Sequence, residues 1–287
     1  MSLVAFRMPY LLKISLDWDA PNPREDYDNM GKMVCWHRRY ALGDKHDFNE
    51  PDDFLRELVG KNMECKEVLK QAKAGGFPDT RLYYHRSEKR WIVESYDAYF
   101  KTWFRETECA APYSQCREEL AEAVLNTLDM GNLYALAKEH CCILPIYLFD
   151  HTCLHISTQD LTKWPDGRWD AGQVGWIYAD RETIAKEYGC CGPEEMEKAG
   201  NVLCGEVELY DKYLTGECYG FQLFQNGEET DSCWGFLGDF DEVKEDIKSY
   251  LPAECQELLE HLVEVQDMRA MECEDYEELL EEMEDER

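Results

Sequence analysis

The chain has 287 residues, of which 44% are hydrophobic and 13% aromatic, a composition typical of a folded protein with one large or two modest domains. No apolar run reaches the length of a membrane span. The apolar start MSLVAFRMPYLLKISLDW also lacks a basic leader and a cleavage site, so neither an anchor nor a signal peptide is expected.

The acidic residues are unevenly distributed. There are 61 of them against 30 basic residues, a net charge of −31. Residues 61–105 hold ten basic and six acidic residues, a local charge of +4. Residues 106–287 hold twelve basic and forty-four acidic residues, a local charge of −32. Such a surface repels nucleic-acid phosphate and attracts basic protein surfaces, including those that bind DNA. Solubility is the alternative explanation of the same charge.

The fourteen cysteines indicate reduced thiols rather than a disulfide framework. Cys141–Cys142 and Cys190–Cys191 are adjacent pairs, and the others are scattered among apolar neighbours. The chain is also longer than the short secreted proteins that depend on disulfides. We therefore expect a cytoplasmic protein with mostly buried thiols.

The N-terminal half predicts strands and helices in alternation. YLLKISLDW has the alternation of a strand. A helix is predicted next, with Asn49 as its cap, Pro51 in its first turn and Gly75–Gly76 at its end. RLYYHRSEKRWIVESY predicts a hairpin turning at Ser87–Glu88, and the helical pattern of residues 114–140 is interrupted near Gly131.

The C-terminal half begins with two predicted strands that turn at Asp150–His151. A strand VGWIYA follows, then a helix capped by Asp180 and one or two helices over residues 193–216. Asn226–Gly227 predicts a hairpin. Helices are expected over residues 240–250 and 253–266, the first with Phe240, Val243, Ile247 and Tyr250 on one face.

Together these elements predict an α+β fold, a mostly antiparallel sheet with flanking helices and an acidic helical C-terminus. Residues 1–240 would form the α+β body and residues 241–271 an acidic helical region. Residues 272–287, with ten acidic residues between positions 272 and 286, would form a disordered acidic tail.

The stretch WDAGQVGWIYADRE places glycines beside aromatic and polar residues. It lacks the lysine and hydroxyl of a phosphate-binding loop, so we interpret it as a structural corner whose glycines take backbone angles that side chains forbid. Trp169 and Trp176 are expected to pack around this corner, with Gln173 or Asp170 binding backbone groups. The residues of the motif are Trp169, Asp170, Gly172, Gln173 and Gly175.

Candidate metal ligands lie at two places, although no cofactor is expected. His151, Cys153 and His155 alternate, so on a strand they would share one face and could hold zinc; an ordinary core is the alternative. The second set could bind a divalent ion or be solvated loop carboxylates. It consists of Asp17, Asp19, Asp26 and Asp28. A Cys–His catalytic dyad cannot be inferred from the numbers of cysteines and histidines alone.

A basic cluster stands out in this acidic chain. Since acidic residues outnumber basic ones two to one, we expect these side chains to pair internally rather than to bind phosphate. The cluster consists of Lys32, His37, Arg38, Arg39, Lys45 and His46.

Five segments in this order resemble a family of accessory proteins carried by phages and mobile elements: DNMGKMVCWHRRYALGDKHDF, LPIYLFDH, WDAGQVGWIY, GEVELYDKYLTGECYGF and DSCWGFLGD. The resemblance covers most of residues 10–240 and carries no assigned activity. Small acidic phage proteins are often similar to inhibitors of bacterial defence, such as antirestriction proteins that imitate the charge of DNA. The resemblance therefore implies an anti-defence protein acting in the host cytoplasm.

The sequence thus favours a non-enzymatic inhibitor that binds a basic surface of a bacterial host protein, without direct nucleic-acid or membrane binding. The expected binding residues are Glu242, Glu245, Asp246, Glu257, Glu260, Glu264, Glu272, Glu274 and Asp275. The aromatic content also makes a homodimer possible.

Two other functions stay open. One is a metal-dependent enzyme, hydrolase- or nuclease-like, that uses Asp17, Asp19, His37 or His151. The other is a structural or regulatory phage protein.

Overall fold

Strands from both ends of the described chain form one antiparallel sheet in the structure, a computed structural model that describes residues 2–265. Its strand order is β11–β10–β2–β1–β12. The turn between β10 and β11 has positive φ angles at Asn226 and Gly227, so the hairpin predicted there is confirmed. The strands are β1 (Ser2–Arg7), β2 (Tyr10–Leu16), β10 (Cys218–Gln225), β11 (Glu228–Leu237) and β12 (Val263–Val265).

Helix α9 (Phe240–Tyr250) and a 3-10 helix (Gln256–His261) cover one face of this sheet. The bounds predicted for α9 are confirmed. The predicted second helix over 253–266 is wrong, since the chain forms the 3-10 helix and then the edge strand β12. Pro252 disfavours continuation of α9, and the Val-Glu-Val pattern at 263–265 has the period of a strand paired with β1.

A second antiparallel sheet has the order β3–β9–β7–β8 and is buried on both faces. In β7, Cys141 and Ile143 contribute to one core, whereas Cys142 and Ile146 contribute to the other, as a period of two requires. The strands are β3 (Lys32–Cys35), β7 (Cys141–Asp150), β8 (Leu154–Ser157) and β9 (Ala171–Asp180).

Helices cover both faces of the second sheet. The core on one face also includes residues of four helices: α2 (Pro51–Asn62), α3 (Cys65–Lys73), α4 (Arg117–Thr127) and α5 (Met130–His140). The other face packs against α7 (Arg181–Tyr188) and α8 (Pro193–Thr215). Asp180 caps α7 as predicted, accepting a hydrogen bond from the Thr183 amide at 2.8 Å.

A third sheet, of β4 (Thr80–His85), β5 (Arg90–Asp97) and β6 (Thr102–Cys109), packs on α3 and α4 through Leu82 and Val93. Its first hairpin turns where the sequence predicted. The expected helix from Pro51 is split at Met63–Glu64, and its N-cap is Glu50 rather than Asn49. Short helices α1 (Pro23–Asp26) and α6 (Gly167–Asp170) and a 3-10 turn (Leu161–Lys163) complete the described chain.

The buried Arg24 side chain joins the loop before β3 to α8. Its guanidinium donates to both Asp44 carboxylate oxygens, at 2.9 and 3.0 Å, and to Glu206 Oε2 at 2.8 Å. It also donates to the Gly31 carbonyl and to Asn29. The planar guanidinium thus holds three segments together: the loop before β3, the loop that follows β3 and helix α8.

The predicted class, an α+β fold of antiparallel sheets with several helices, is confirmed. Within residues 2–265, no helix combines the length and the apolar composition that crossing a bilayer requires.

Candidate functional site

The C-terminal acidic surface comprises six of the predicted binding residues and lies on the five-stranded sheet and its cover. On α9, Val243 is 1% exposed and Ile247 is fully buried against the sheet. Glu242, Glu245 and Asp246 are exposed and occupy the opposite side of the helix, as spacings of three and four residues require. The local sequence thus separates apolar packing from an anionic outer face.

The other three acids of this surface lie beyond α9. Glu257 and Glu260 are exposed on the 3-10 helix, because Leu258 and Leu259 between them face the sheet. Glu264 is exposed on the edge strand β12. The remaining predicted residues, Glu272, Glu274 and Asp275, lie outside the described residues, as does the predicted tail.

Few cations neutralise this surface. Glu257 pairs with Arg7, Lys244 lies 3.3 Å from Glu260 and Lys248 lies 3.6 Å from Glu245. Within residues 2–265, the three other acids of the surface make no ion pair: Glu242, Asp246 and Glu264. Residues 217–265 hold thirteen acidic residues against two lysines, so the surface keeps a large negative charge.

Lys212 of α8 marks one border of this region. Its ammonium lies 2.6 Å from both Glu217 and Asp239. Although burial opposes the charged form, these two carboxylates raise the pKa of Lys212 above its usual range, so the ammonium stays charged. One ammonium group is thereby shared between two carboxylates, and the three groups together keep a net negative charge.

The glycine motif of residues 169–175 forms the entry to β9. Trp169 is 84% exposed and does not pack around a corner, whereas Trp176 is buried in the core; the prediction of a pair of packed tryptophans is therefore wrong. Gln173 donates to the Gly175 carbonyl at 3.3 Å, as expected. Asp170 contacts His151 instead of a backbone group.

The predicted reason for the two glycines also needs correction. Positive φ occurs at Asp166, and neither Gly172 nor Gly175 has it. A Cβ atom at Gly175 would lie 2.0 Å from the Val34 carbonyl oxygen, so glycine is needed there because β3 approaches closely. A Cβ at Gly172 would meet nothing within 4 Å.

The predicted zinc ligands His151, Cys153 and His155 do not share a strand face. Residues 151–153 form a bend and β8 begins at Leu154. His151 Nδ1 contacts Asp170 Oδ2 at 3.1 Å, whereas Cys153 Sγ contacts His155 Nε2 at 3.2 Å. Within the described chain, no group of three or more His, Cys, Asp or Glu side chains is arranged to hold a metal ion, and this applies to the N-terminal carboxylates as well.

A further carboxylate joins the Cys153–His155 contact. Asp211 of α8 lies with its Oδ2 3.4 Å from His155 Nδ1 and accepts a hydrogen bond from the Ile156 amide at 2.7 Å. Sequence reasoning missed Asp211, because 56 residues separate it from His155 and no local pattern joins them. We call Cys153, His155 and Asp211 the thiol cluster.

Four members of the basic cluster line a cavity of about 650 Å³ beside β3: His37, Arg38, Lys45 and His46. As expected, several members pair internally: Arg39 with Asp150, Lys45 with Glu25 at 2.8 Å, and His46 with the Cys35 carbonyl at 2.9 Å. His37 stacks on Tyr40 and accepts from the backbone amides of residues 39 and 40. These contacts stabilise the loop that follows β3, residues 36–46.

The homodimer stays a prediction that rests on exposed aromatic side chains, of which Trp18, Tyr99 and Trp169 are each more than four-fifths exposed. Comparison of the chain with known protein families, with curated proteins and with solved structures found no match.

Proposed function

We propose that the protein is a non-enzymatic inhibitor that docks, through its C-terminal acidic surface, on a basic, nucleic-acid-binding surface of a bacterial host protein. One observation carries the proposal: α9 buries its apolar residues on the sheet and presents Glu242, Glu245 and Asp246 to solvent, where cations compensate only part of the charge. The surface is therefore anionic, and helix α9, which carries part of it, is fixed by packing against the sheet.

A surface of this kind competes with DNA for a basic groove. Carboxylates on an ordered helix present several negative charges at fixed spacing, as phosphates do along a strand. Attraction between such a surface and a basic groove raises the rate of encounter and depends strongly on ionic strength. Direct binding of nucleic acid is not part of the proposal, since phosphate is repelled by the same charge.

The class of the partner comes from the resemblance to accessory proteins of phages and mobile elements. Proteins of that kind act in the cytoplasm of the bacterial host, where the basic surfaces available include the DNA-binding grooves of restriction complexes and defence nucleases. We propose one of these as the partner.

Capture from a bacterial lysate tests the proposal. The immobilised protein should retain a DNA-binding protein at low salt and release it at about 0.5 M sodium chloride, where the screening length falls to roughly 4 Å. Excess duplex DNA in the lysate should prevent capture, because both ligands occupy the same groove. Mass spectrometry of the eluted proteins is the measurement.

A pair of charge variants locates the docking surface. The triple variant E242Q/E245Q/D246N should lose most of the captured protein. The matched variant E182Q/E187Q/E197Q removes three exposed carboxylates of α7 and α8 and should retain it. Docking by charge would be refuted if the wild type kept its captured protein at about 0.5 M sodium chloride and the variant E242Q/E245Q/D246N captured as much as the wild type.

A further inference from the structure

The thiol cluster has the arrangement of a nucleophile, its base and the group that orients the base. Cys153 Sγ lies 3.2 Å from His155 Nε2, and the opposite ring nitrogen Nδ1 lies 3.4 Å from Asp211 Oδ2. The two contacts use different edges of one imidazole. This relation between thiol, imidazole and carboxylate is the one that activates nucleophiles in proteins, and it is commonly looser before substrate binds.

Asp211 is held in place by the fold. Its Oδ1 accepts from the Ile156 amide at 2.7 Å, which ties the C-terminal part of α8 to β8. The carboxylate that faces the imidazole is therefore fixed by a hydrogen bond outside the cluster. The ring of Trp164 meets His155 edge to face at 5.7 Å and limits its movement on a further side.

This geometry selects the useful tautomer of His155. Because a carboxylate only accepts hydrogen bonds, Asp211 favours the proton on Nδ1 and leaves the lone pair of Nε2 directed toward the thiol. We infer that Cys153, His155 and Asp211 form a nucleophilic thiol site that accepts an acyl group from a neutral activated ester. The site shares no residue with the C-terminal acidic surface, so this activity goes beyond the proposed function.

Cys153 differs from the buried thiols of the described chain. Burial raises the pKa of Cys35 and Cys141 to about 12 and that of Cys142 and Cys218 to about 11, so these thiols stay protonated and shielded from reagents. Cys153 is exposed and has an imidazole as its neighbour.

Cys190 provides a comparison within the same chain. It is also exposed, but its neighbour is Glu195, whose negative charge raises the pKa of the Cys190 thiol and disfavours the thiolate. Exposure alone therefore does not distinguish the two cysteines. The charge and basicity of the neighbouring side chain do.

The surroundings favour a neutral acyl donor over a phosphoryl donor. Asp170 and Asp211 both contact histidines of this hairpin, so an anionic phosphate would meet two carboxylates. Phe149 and the half-exposed Trp164 pack together at 5.8 Å and provide an apolar wall for the carrier of the acyl group.

The reaction balances with the groups present. His155 Nε2 takes the thiol proton, Cys153 Sγ attacks the carbonyl carbon, and a C–S bond forms as the C–O bond to the leaving group breaks. The imidazolium then gives its proton to the leaving oxygen. The products are an S-acyl cysteine and an alcohol or phenol, and no oxidant or reductant is consumed.

Acetylation by para-nitrophenyl acetate at neutral pH tests the site in the full-length protein. Release of nitrophenolate gives the rate, and peptide mass spectrometry gives the fraction acetylated at each cysteine, with fragment spectra that separate Cys190 from Cys191. We expect Cys153 to react about a hundredfold faster than Cys190, the lower end of what a general base contributes. Equal rates at the two cysteines would overturn the inference.

Three variants test the roles of the cluster. H155Q removes the base, and D211N keeps an acceptor for the Ile156 amide but turns an amide donor toward His155, which favours the wrong tautomer. Both should slow Cys153 to the rate of Cys190 and move its pH profile upward. H151Q, on the same bend but paired with Asp170, should leave the rate unchanged. A Cys153 rate that is equal in wild type, H155Q and D211N, all folded by circular dichroism, would refute the triad.

Discussion

At the scale of single residues, the buried thiols make stability depend on alkaline pH. Cys35 is buried in the core between the second sheet and α8, and this burial raises its pKa from 9.0 to about 12. Below pH 9 the thiol is protonated in both the folded and the unfolded chain and has no effect on the balance between them. Between pH 9 and 12 the unfolded chain releases a proton that the folded chain keeps, so the free energy of unfolding falls as the pH rises.

The variant C35A should reduce this dependence. It removes one titrating group, which accounts for at most about 1.4 kcal/mol per pH unit of the slope. Urea denaturation at a series of pH values from neutral to alkaline measures the slope in both proteins. The difference at neutral pH reports the lost packing of the thiol, and only the difference in slope reports its titration. Parallel curves for the two proteins would show that Cys35 ionises equally in both states.

At the scale of secondary-structure elements, the contact between β3 and β9 depends on one glycine. Gly175 is paired with Cys35, and a Cβ atom there would lie 2.0 Å from the carbonyl oxygen of Val34, which is backbone and cannot rotate away. Gly172, three residues earlier, has open space and an ordinary φ angle.

These two glycines form a matched pair for mutation. G175A should destabilise the protein by about 2 kcal/mol or more, the range for steric overpacking, because β3 must move away from β9. G172A should change stability by less than about 0.5 kcal/mol. Thermal and urea denaturation of both variants check this. Equal effects at the two positions would mean that glycine is needed for another reason than the close approach of β3.

Elements with a local signal were predictable from the sequence, and those that depend on distant partners were not. The Asn226–Gly227 turn and the Asp180 cap follow from a few neighbouring residues, and both are where they were expected. Strand β12 was predicted as helix, because its Val-Glu-Val alternation is too short to identify a strand and the pairing that stabilises it is with β1, more than 250 positions away. The strand propensity of a short segment contains no information about such a distant partner.

The same limit applies to the thiol cluster. Cys153 and His155 were singled out as possible zinc ligands from their spacing, but the residue that gives them a different chemistry comes from α8. The bend at residues 151–153 also changes which side chains face each other, since the period of two holds only within a strand. The spacing could be seen in the sequence, whereas the geometry required the fold.

At the scale of the whole molecule, the two ends of the described chain are joined in one sheet and share one core. Val243 of α9 packs with Leu12 of β2 and Phe221 of β10. The residues that carry the C-terminal acidic surface are therefore held by the same apolar contacts as the N-terminal hairpin. Charge on this surface is presented from a fixed support, which is what competition for a basic groove requires.

The net charge of −31 also acts on the stability of the molecule itself. Acidic residues outnumber basic ones two to one, so repulsion between carboxylates exceeds the attraction in the surface ion pairs. Raising sodium chloride to about 0.5 M should screen both, and the thermal midpoint should rise because the repulsion is the larger contribution. A midpoint that falls with added salt would show that the ion pairs dominate.

The two charge variants separate this effect from docking. E242Q/E245Q/D246N and E182Q/E187Q/E197Q each remove three negative charges, so each should show a smaller rise of the thermal midpoint with salt than the wild type, by a similar amount. Self-repulsion depends mainly on total charge, whereas docking depends on where the charge lies, so only the first variant should also lose its captured partner. Scanning calorimetry across a salt series, beside the capture experiment, gives both quantities for the same proteins. If the two variants lost capture equally, total charge would control binding and α9 would have no special part in it.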